Sequence, residues 1–220
     1  GEFGGVPFSD VPADFILTNV TGSIGKSTFG SSGIRSVYAP RVTGISGVAF
    51  KSCTSLTNAV FSDSCTKFGG SAFYGCSVLR RITPFLGKGL AANFGYYNNW
   101  DSATSKRVFQ NCGVLEGPLV IDGADVTNVC NNAFDSCAFL SNITIRADNL
   151  ISIDGAAFYK IAAGACFYYE GKKAPAALGA SAFSPRDSSN YARIYVKDGQ
   201  DIAGWAALYT PKEDLTVDQL

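Results

Sequence analysis

The residues of this sequence best suited to chemistry are its seven cysteines. Thiolates bind zinc, but structural zinc sites draw on closely spaced Cys-x-x-Cys pairs, and no such pair occurs. Histidine is absent, which removes the imidazole base of serine and cysteine hydrolases and every metal site that contains histidine. We therefore predict no metal site and no cofactor.

Two carboxylates, Asp122 and Asp125, could serve as acid and base without histidine, as in polysaccharide-active β-helix enzymes. The same residues also suit the turn after a predicted strand at 119–121, because Asp-Gly is a common turn sequence. No other part of the sequence aligns a further acid beside them. An enzyme of this kind stays open as an alternative, and no catalytic residue is assigned.

The segment Gly25-Lys26-Ser27 is similar to the end of a phosphate-binding loop. That motif needs another glycine five residues before Gly25, where the chain has Val20. The charges point away from nucleic acid as well, because 18 Lys and Arg balance 18 Asp and Glu and leave no net field to attract polyanions. We therefore expect no nucleotide or nucleic-acid partner.

The composition predicts a well-packed chain outside the membrane. Hydrophobic residues make up 46% of the sequence and charged residues only 16%, which excludes a disordered chain. No apolar run approaches the roughly 18 residues that a membrane-spanning helix needs. We expect no membrane insertion by this chain, and any signal peptide would lie outside the sequence.

The elements that carry these residues are internal repeats. Phenylalanine recurs with spacings of 21, 23, 36, 25, 24 and 25 residues, and the residue before it is small or β-branched. An apolar residue precedes the phenylalanine by five positions in six of the seven units. The seven positions are Phe29, Phe50, Phe73, Phe109, Phe134, Phe158 and Phe183.

The central repeats share further positions. Cysteine follows phenylalanine by three residues at Cys53, Cys76, Cys112 and Cys137, and leucine follows it by six. Short β-branched or aromatic segments come next and are typical of strands. One unit therefore consists of a strand, a turn, the apolar residue five positions before the phenylalanine, and a compact turn of helical or tight-turn type that carries the phenylalanine.

A unit of this length is too small to enclose a core, so it must stack on its neighbours. Equivalent positions then form ladders about 4.8 Å apart, with the phenylalanines as an internal column. Parallel Cβ vectors at that spacing are farther apart than a disulfide prefers, so we expect the cysteines to be free, buried thiols. The predicted fold is a solenoid of about seven rungs, with a sheet of short parallel strands on one side and turns on the other.

The pattern Ile-x-x-x-Ala-Phe-x-x-Cys-x-x-Leu, present at 45–56 and with valine in the first position at 129–140, resembles the leucine-rich repeats of the bacterial surface antigen (BspA-like) family. The resemblance covers about 24–196, and the last rungs depart from it, with Ile161 in the cysteine position and Gly164 in the leucine position. It implies a secreted or cell-surface protein of a bacterium or microbial parasite that functions in adhesion or partner binding without catalysis.

We divide the chain into three parts. Residues 1–22 are an N-terminal cap or extended segment, residues 23–196 are the repeats, and residues 197–220 are a C-terminal cap with a predicted amphipathic helix at 198–209. The 36-residue spacing indicates an inserted loop at about 86–106. This loop carries aromatic and amide side chains that either cover a disrupted rung or bind a ligand, namely Tyr96, Tyr97, Asn99, Trp100 and Asp101.

The strands predict a second candidate binding surface. Because strand residues alternate between faces, Ile143 and Ile145 facing inward require Thr144 to face outward. The equivalent positions define the outward row, which is Tyr38, Val60, Thr83, Val120, Thr144, Tyr168 and Tyr195. Aromatic and β-branched residues also suit strands that bind nothing, so the row is either a binding face or ordinary sheet surface.

These features favour a non-catalytic bacterial surface or secreted protein, monomeric, that binds an extracellular protein or glycan. A polysaccharide-active enzyme and a spacer without a ligand are the alternatives.

Overall fold

Short strands and tight turns alternate along the chain. The computed structural model describes residues 1–5, 10, 12–83, 106–124, 126–184, 193–197, 202–208 and 217–219. The strands are β1 (Glu2–Phe3), β2 (Asp14–Ile16), β3 (Gly22–Ile24), β4 (Ser36–Ala39), β5 (Val42–Ile45), β6 (Asn58–Phe61), β7 (Lys67–Phe68), β8 (Arg81–Thr83), β9 (Leu119–Asp122), β10 (Asn128–Val129), β11 (Asn142–Arg146), β12 (Ser152–Ile153), β13 (Cys166–Tyr169), β14 (Ala177–Leu178), β15 (Arg193–Val196) and β16 (Val217–Gln219), and one helix, α1 (Ile202–Leu208), precedes β16.

The strands stack into two parallel sheets that run along the molecule. In the first sheet, β2, β4, β6 and β8 pair in that order, and β9, β11, β13, β15 and β16 form a second set. In the second sheet, the sets are β1, β3, β5, β7 and then β10, β12, β14. Most described rungs thus supply one strand to each sheet, and this stack is the solenoid that the repeats predict.

Apolar and polar residues alternate along the strands of the first sheet, and this alternation sets which side chains face the core. In β11, Ile143 and Ile145 are buried while Thr144 between them is half-buried on the other face. In β4, Val37 and Ala39 are buried while Tyr38 is exposed. The inner side chains of each strand therefore enter the shared core, and the outward row lies on the opposite face.

The predicted phenylalanine column is confirmed. All seven rings are buried, and consecutive rings stack with centroid separations of 5.1, 5.0, 5.2, 5.4, 5.3 and 5.8 Å and interplanar angles of 2–16°. The separations follow from the hydrogen-bonded spacing of the rungs, which brings identical side chains into contact.

The phenylalanine turns are held by a third ladder of hydrogen bonds. The Phe50 amide donates to the carbonyl of Ala72 at 2.8 Å, and the Phe73 amide donates to Val108 at 2.9 Å. The residue two before each phenylalanine has a positive φ, which is 54° at Val48 and 57° at Ser71. The sequence analysis predicted a helical or tight turn, and these left-handed positions make it a tight turn rather than a helix.

The second sheet is the element that the sequence analysis missed. Its strands are as short as two residues, such as β7 and β10, and they contain the apolar residue five positions before each phenylalanine. A two-residue strand has only one inward side chain, so the sequence shows no alternation of apolar and polar residues that would predict it. Parallel pairing of Val129 with Ile153 nevertheless places these apolar residues in regular strands.

The insertion interrupts the sheets but leaves the core continuous. Strands β8 and β9 belong to different sets of the first sheet, and residues 84–105 lie outside the described part of the chain. Phe73 and Phe109 still stack at 5.2 Å, and the Ser71 amide donates to the carbonyl of Lys106 at 2.7 Å. The core therefore continues from the rung of Phe73 to that of Phe109.

Strands lie within both end segments, and a helix lies within the C-terminal one. Strands β1 and β2 pair in register with β3 and β4, so the stack includes residues that we had assigned to the N-terminal cap. At the other end, α1 lies within the predicted helix, and its Trp205 is buried edge-on against Tyr169 at 5.0 Å. Strand β16 pairs with β15 and adds an edge strand that was not predicted.

Candidate functional site

The outward row forms in two segments on the first sheet. Tyr38 pairs with Val60 and Val60 with Thr83, while Thr144 pairs with both Val120 and Tyr168. The row was expected to be a single one, but its register stops between Thr83 and Val120 because β8 and β9 do not pair with one another. The candidate surface is therefore divided at the rung of the insertion.

The N-terminal segment begins with an apolar residue that the sequence analysis did not include. Ile16 pairs with Tyr38 in register, and their exposed fractions are 69% and 45%. Alternation from the half-buried Phe15 would have placed Ile16 outward. It was missed because residues 1–22 were interpreted as a cap.

The C-terminal segment carries an aromatic pair. The rings of Tyr168 and Tyr195 stand side by side on β13 and β15, with centroids 5.3 Å apart and planes 14° from parallel. Desolvation by its surroundings raises the pKa of Tyr168, so its hydroxyl stays protonated and can donate a hydrogen bond at neutral pH. The pair gives this segment a rigid apolar ridge with polar tips.

A row of charged residues runs beside the aromatic pair. Arg146 Nε lies 2.9 Å from a carboxylate oxygen of Glu170, and Arg146 Nη1 lies 3.7 Å from Asp122. The hydrogen bond and charge of Glu170 raise the pKa of Arg146, and Asp122 adds to the same effect. Asp122 thus takes part in an ion-pair row, while its proposed catalytic partner Asp125 lies outside the described residues.

The loop residues Tyr96, Tyr97, Asn99, Trp100 and Asp101 also lie outside the described residues. Their role in binding stays a prediction.

The sequence matches the model of a known protein family. The model for the BspA type leucine rich repeat region matches residues 13–87 and 102–194, in six copies. The chain belongs to the BspA type leucine-rich repeat family. No curated protein matches it.

One solved structure shares the fold of this BspA-type chain. It is the crystal structure of a leucine rich cell surface protein from Faecalibacterium prausnitzii A2-165, with 24% sequence identity and a TM-score of 0.62. The match covers 86% of this chain and 48% of that protein, so the chain spans about half of its length.

Other groups in the BspA-type stack have structural roles. Gly25 of the phosphate-loop-like segment donates its amide to the Phe3 carbonyl at 2.7 Å, and a Cβ there would lie 2.6 Å from the Gly5 nitrogen. Close packing of the rungs therefore accounts for this glycine. In the described part of the chain no three Cys, Asp or Glu residues are grouped to hold a metal ion, and no described helix could span a membrane.

The cysteines are free thiols, and those three residues after a phenylalanine donate hydrogen bonds to the neighbouring rung. The Cys76 thiol donates to the Phe50 carbonyl at 3.0 Å, Cys112 to Phe73 at 3.1 Å, and Cys137 to Phe109 at 3.2 Å. A thiol at this position therefore satisfies a buried carbonyl while it fills the core, which an alkyl side chain of similar size could not do.

Reaction with a thiol reagent should separate the cysteines by burial. Six of the seven are buried, and only Cys166 is half-buried. Burial raises the pKa of Cys65 from its ordinary 9.0 to about 12 and raises that of Cys112, so neither forms the reactive thiolate near neutral pH. We expect iodoacetamide to add once to the native chain and seven times after unfolding, as counted by mass spectrometry. Rapid native labelling of Cys112 would contradict the buried ladder.

Proposed function

We propose that this protein is a non-catalytic bacterial surface or secreted protein that binds an extracellular partner through the outward face of its first sheet. The observation that carries the proposal is the stacked pair Tyr168 and Tyr195 beside the Arg146 ion-pair row. Tyrosine and arginine are enriched at interface hot spots because they combine large contact area with specific hydrogen bonds.

The fold supports this choice of surface. The inner faces of the strands are filled by the core, and the phenylalanine turns are joined by backbone bonds, so the sheet exterior is a rigid platform. The name of the structurally similar protein describes it as a cell surface protein, which supports the proposed location. A protein partner suits this broad surface best, because it can meet aromatic and charged residues on several rungs at once.

The inserted loop is proposed as an additional contact. Its Tyr96, Tyr97, Asn99, Trp100 and Asp101 combine aromatic faces with amide and carboxylate groups, which is the chemistry that binds sugars or anchors a protein contact. The contact of Asp122 with Arg146 at 3.7 Å gives this carboxylate a place in the ion-pair row, which supports a structural role for it over a catalytic one.

The double substitution Tyr168→Ala and Tyr195→Ala tests the sheet face. We expect affinity for a partner found in a panel of matrix proteins and glycans to fall by about tenfold or more, since interface hot spots are built on such residues. Affinities would be measured by biolayer interferometry. Tyr74→Ala is the matched control, because Tyr74 is half-buried on the turn side of the stack.

A second variant lacking residues 96–101 separates the loop from the sheet. If the loop deletion loses binding while the double tyrosine variant keeps it, the loop and not the sheet face binds the partner. Unchanged binding in both variants would overturn the proposal, and a wild-type chain that binds nothing in the panel would identify a spacer.

A further inference from the structure

A groove of about 650 Å³ lies away from the outward row, where the chain passes from the phenylalanine turns into the first sheet. Its lining includes Asn111, Val114, Ser136, Phe139 and Lys160. These residues come from the rungs of Phe109, Phe134 and Phe158, and Ser77 extends the groove to the rung of Phe73. The groove therefore spans three steps of the stack, each 5.2–5.4 Å long between ring centroids.

The apolar wall of the groove is centred on an exposed aromatic ring. Phe139 is 61% exposed, although Leu140 beside it is buried. In equivalent positions on the two preceding rungs, Val114 lines the groove and Val78 is 37% exposed. A phenyl ring that the core does not use offers a flat face to a ligand.

The polar wall consists of the residues two after each phenylalanine. Their backbone amides already form hydrogen bonds. The Asn111 amide donates to the backbone carbonyl of Asp135 at 2.8 Å, and the Ser136 amide donates to that of Tyr159 at 2.8 Å. The Lys160 amide likewise donates to the next rung at 3.0 Å. An added peptide strand would find no free amide here, so recognition depends on the amide, hydroxyl and ammonium side chains.

The charged group that lines the groove is the Lys160 ammonium. The Lys160 ammonium lies 4.9 Å from the centre of the Tyr159 ring, and no carboxylate forms an ion pair with it among the described residues. No Asp or Glu lines the groove, but the Ser136 hydroxyl donates to the buried Asp135 carboxylate at 2.8 Å, so this hydroxyl faces a ligand as an acceptor. Such a site complements a ligand that carries a negative charge.

We propose that this groove binds an acidic oligosaccharide. A sugar ring stacks on Phe139, its hydroxyls bond to Asn111 and Ser136, and its acidic group pairs with Lys160. A peptide fits less well, because Gly113 and Ala138 contribute no bulk that would shape side-chain pockets and the amides of the polar wall are already bonded. This site is separate from the sheet face, so either can fail without the other.

Titration calorimetry with the full chain tests the groove. The probes are oligogalacturonate, the same oligosaccharide with its carboxyl groups reduced, and a sulfated oligosaccharide. We expect wild type to bind oligogalacturonate and to bind the reduced form more weakly. Phe139→Ala should lower the affinity by about tenfold, and Lys160→Gln should lower it for the acidic probe while leaving the neutral probe unchanged.

Two matched variants serve as controls. Ile151→Ala removes another exposed apolar side chain, 54% exposed, and Lys51→Gln removes another lysine placed over a tyrosine ring, 5.7 Å from that of Tyr74. Neither residue lines the groove, and both variants should bind as wild type does. Stronger binding of the sulfated probe would assign sulfate as the acidic group.

The proposal is overturned if wild type binds none of the probes. It is also overturned if Phe139→Ala and Lys160→Gln bind like their controls.

Discussion

Replacing Phe134 with alanine is expected to lower the free energy of unfolding by about 3–5 kcal/mol, the range for removing a buried aromatic side chain. The ring is fully buried and stacks on Phe109 at 5.4 Å and on Phe158 at 5.3 Å. Its removal leaves a cavity in the middle of the column, and the hydrogen-bonded rungs on either side cannot close it without shortening their spacing. Guanidinium denaturation followed by circular dichroism would measure the change.

Phe139→Ala is the control for this variant. It removes the same side chain from the same rung, but at a position that is 61% exposed, and its effect on stability should be small. Equal losses in the two variants would contradict the view that the internal column, rather than aromatic content, stabilises the stack.

Replacing Trp205 with alanine is the second large expected effect. The indole is buried and contacts Tyr169 edge-on at 5.0 Å, so it closes the C-terminal end of the stack. Its loss should cost about 3–5 kcal/mol at that end, since terminal repeats must cover the apolar face of the last rung. Hydrogen exchange should rise first in β13 and β15, because a solenoid opens from its ends.

Trp205→Phe distinguishes burial from hydrogen bonding. The indole nitrogen is buried and has no hydrogen-bond partner in the described structure. Phenylalanine keeps much of the apolar contact and removes the unpaired donor, whose burial costs about 1–3 kcal/mol. We expect a loss less than half that of Trp205→Ala. If the two variants are equally unstable, the indole nitrogen is bonded in solution.

Rigidity of the stack links these variants to the proposed binding. The tyrosine pair Tyr168 and Tyr195 is held side by side by the pairing of β13 with β15, and these strands are flanked by β11 and β16. Trp205→Ala should therefore weaken partner binding as well, although Trp205 faces the core. Phe139→Ala should leave the sheet face intact and affect only the groove.

The sequence by itself determined the solenoid and its core. One phenylalanine per repeat can be buried only if the repeats stack, and the spacing therefore predicted the column and the outward row. The thiols at Cys76 and Cys112 were expected to be buried for the same reason, although their bonds to the preceding Phe carbonyls were not foreseen.

Tertiary structure alone decided the remaining features. Two-residue strands such as β7 have no periodicity of their own, so the second sheet exists only through pairing between rungs. The break between β8 and β9 is likewise a matter of pairing between rungs, which a row of equivalent positions in the sequence does not report. The groove joins Asn111, Phe139 and Lys160, residues from three repeats that become neighbours only when the rungs stack. Sequence periodicity reports which residues are equivalent, whereas a binding site depends on differences between equivalent positions that stacking places side by side.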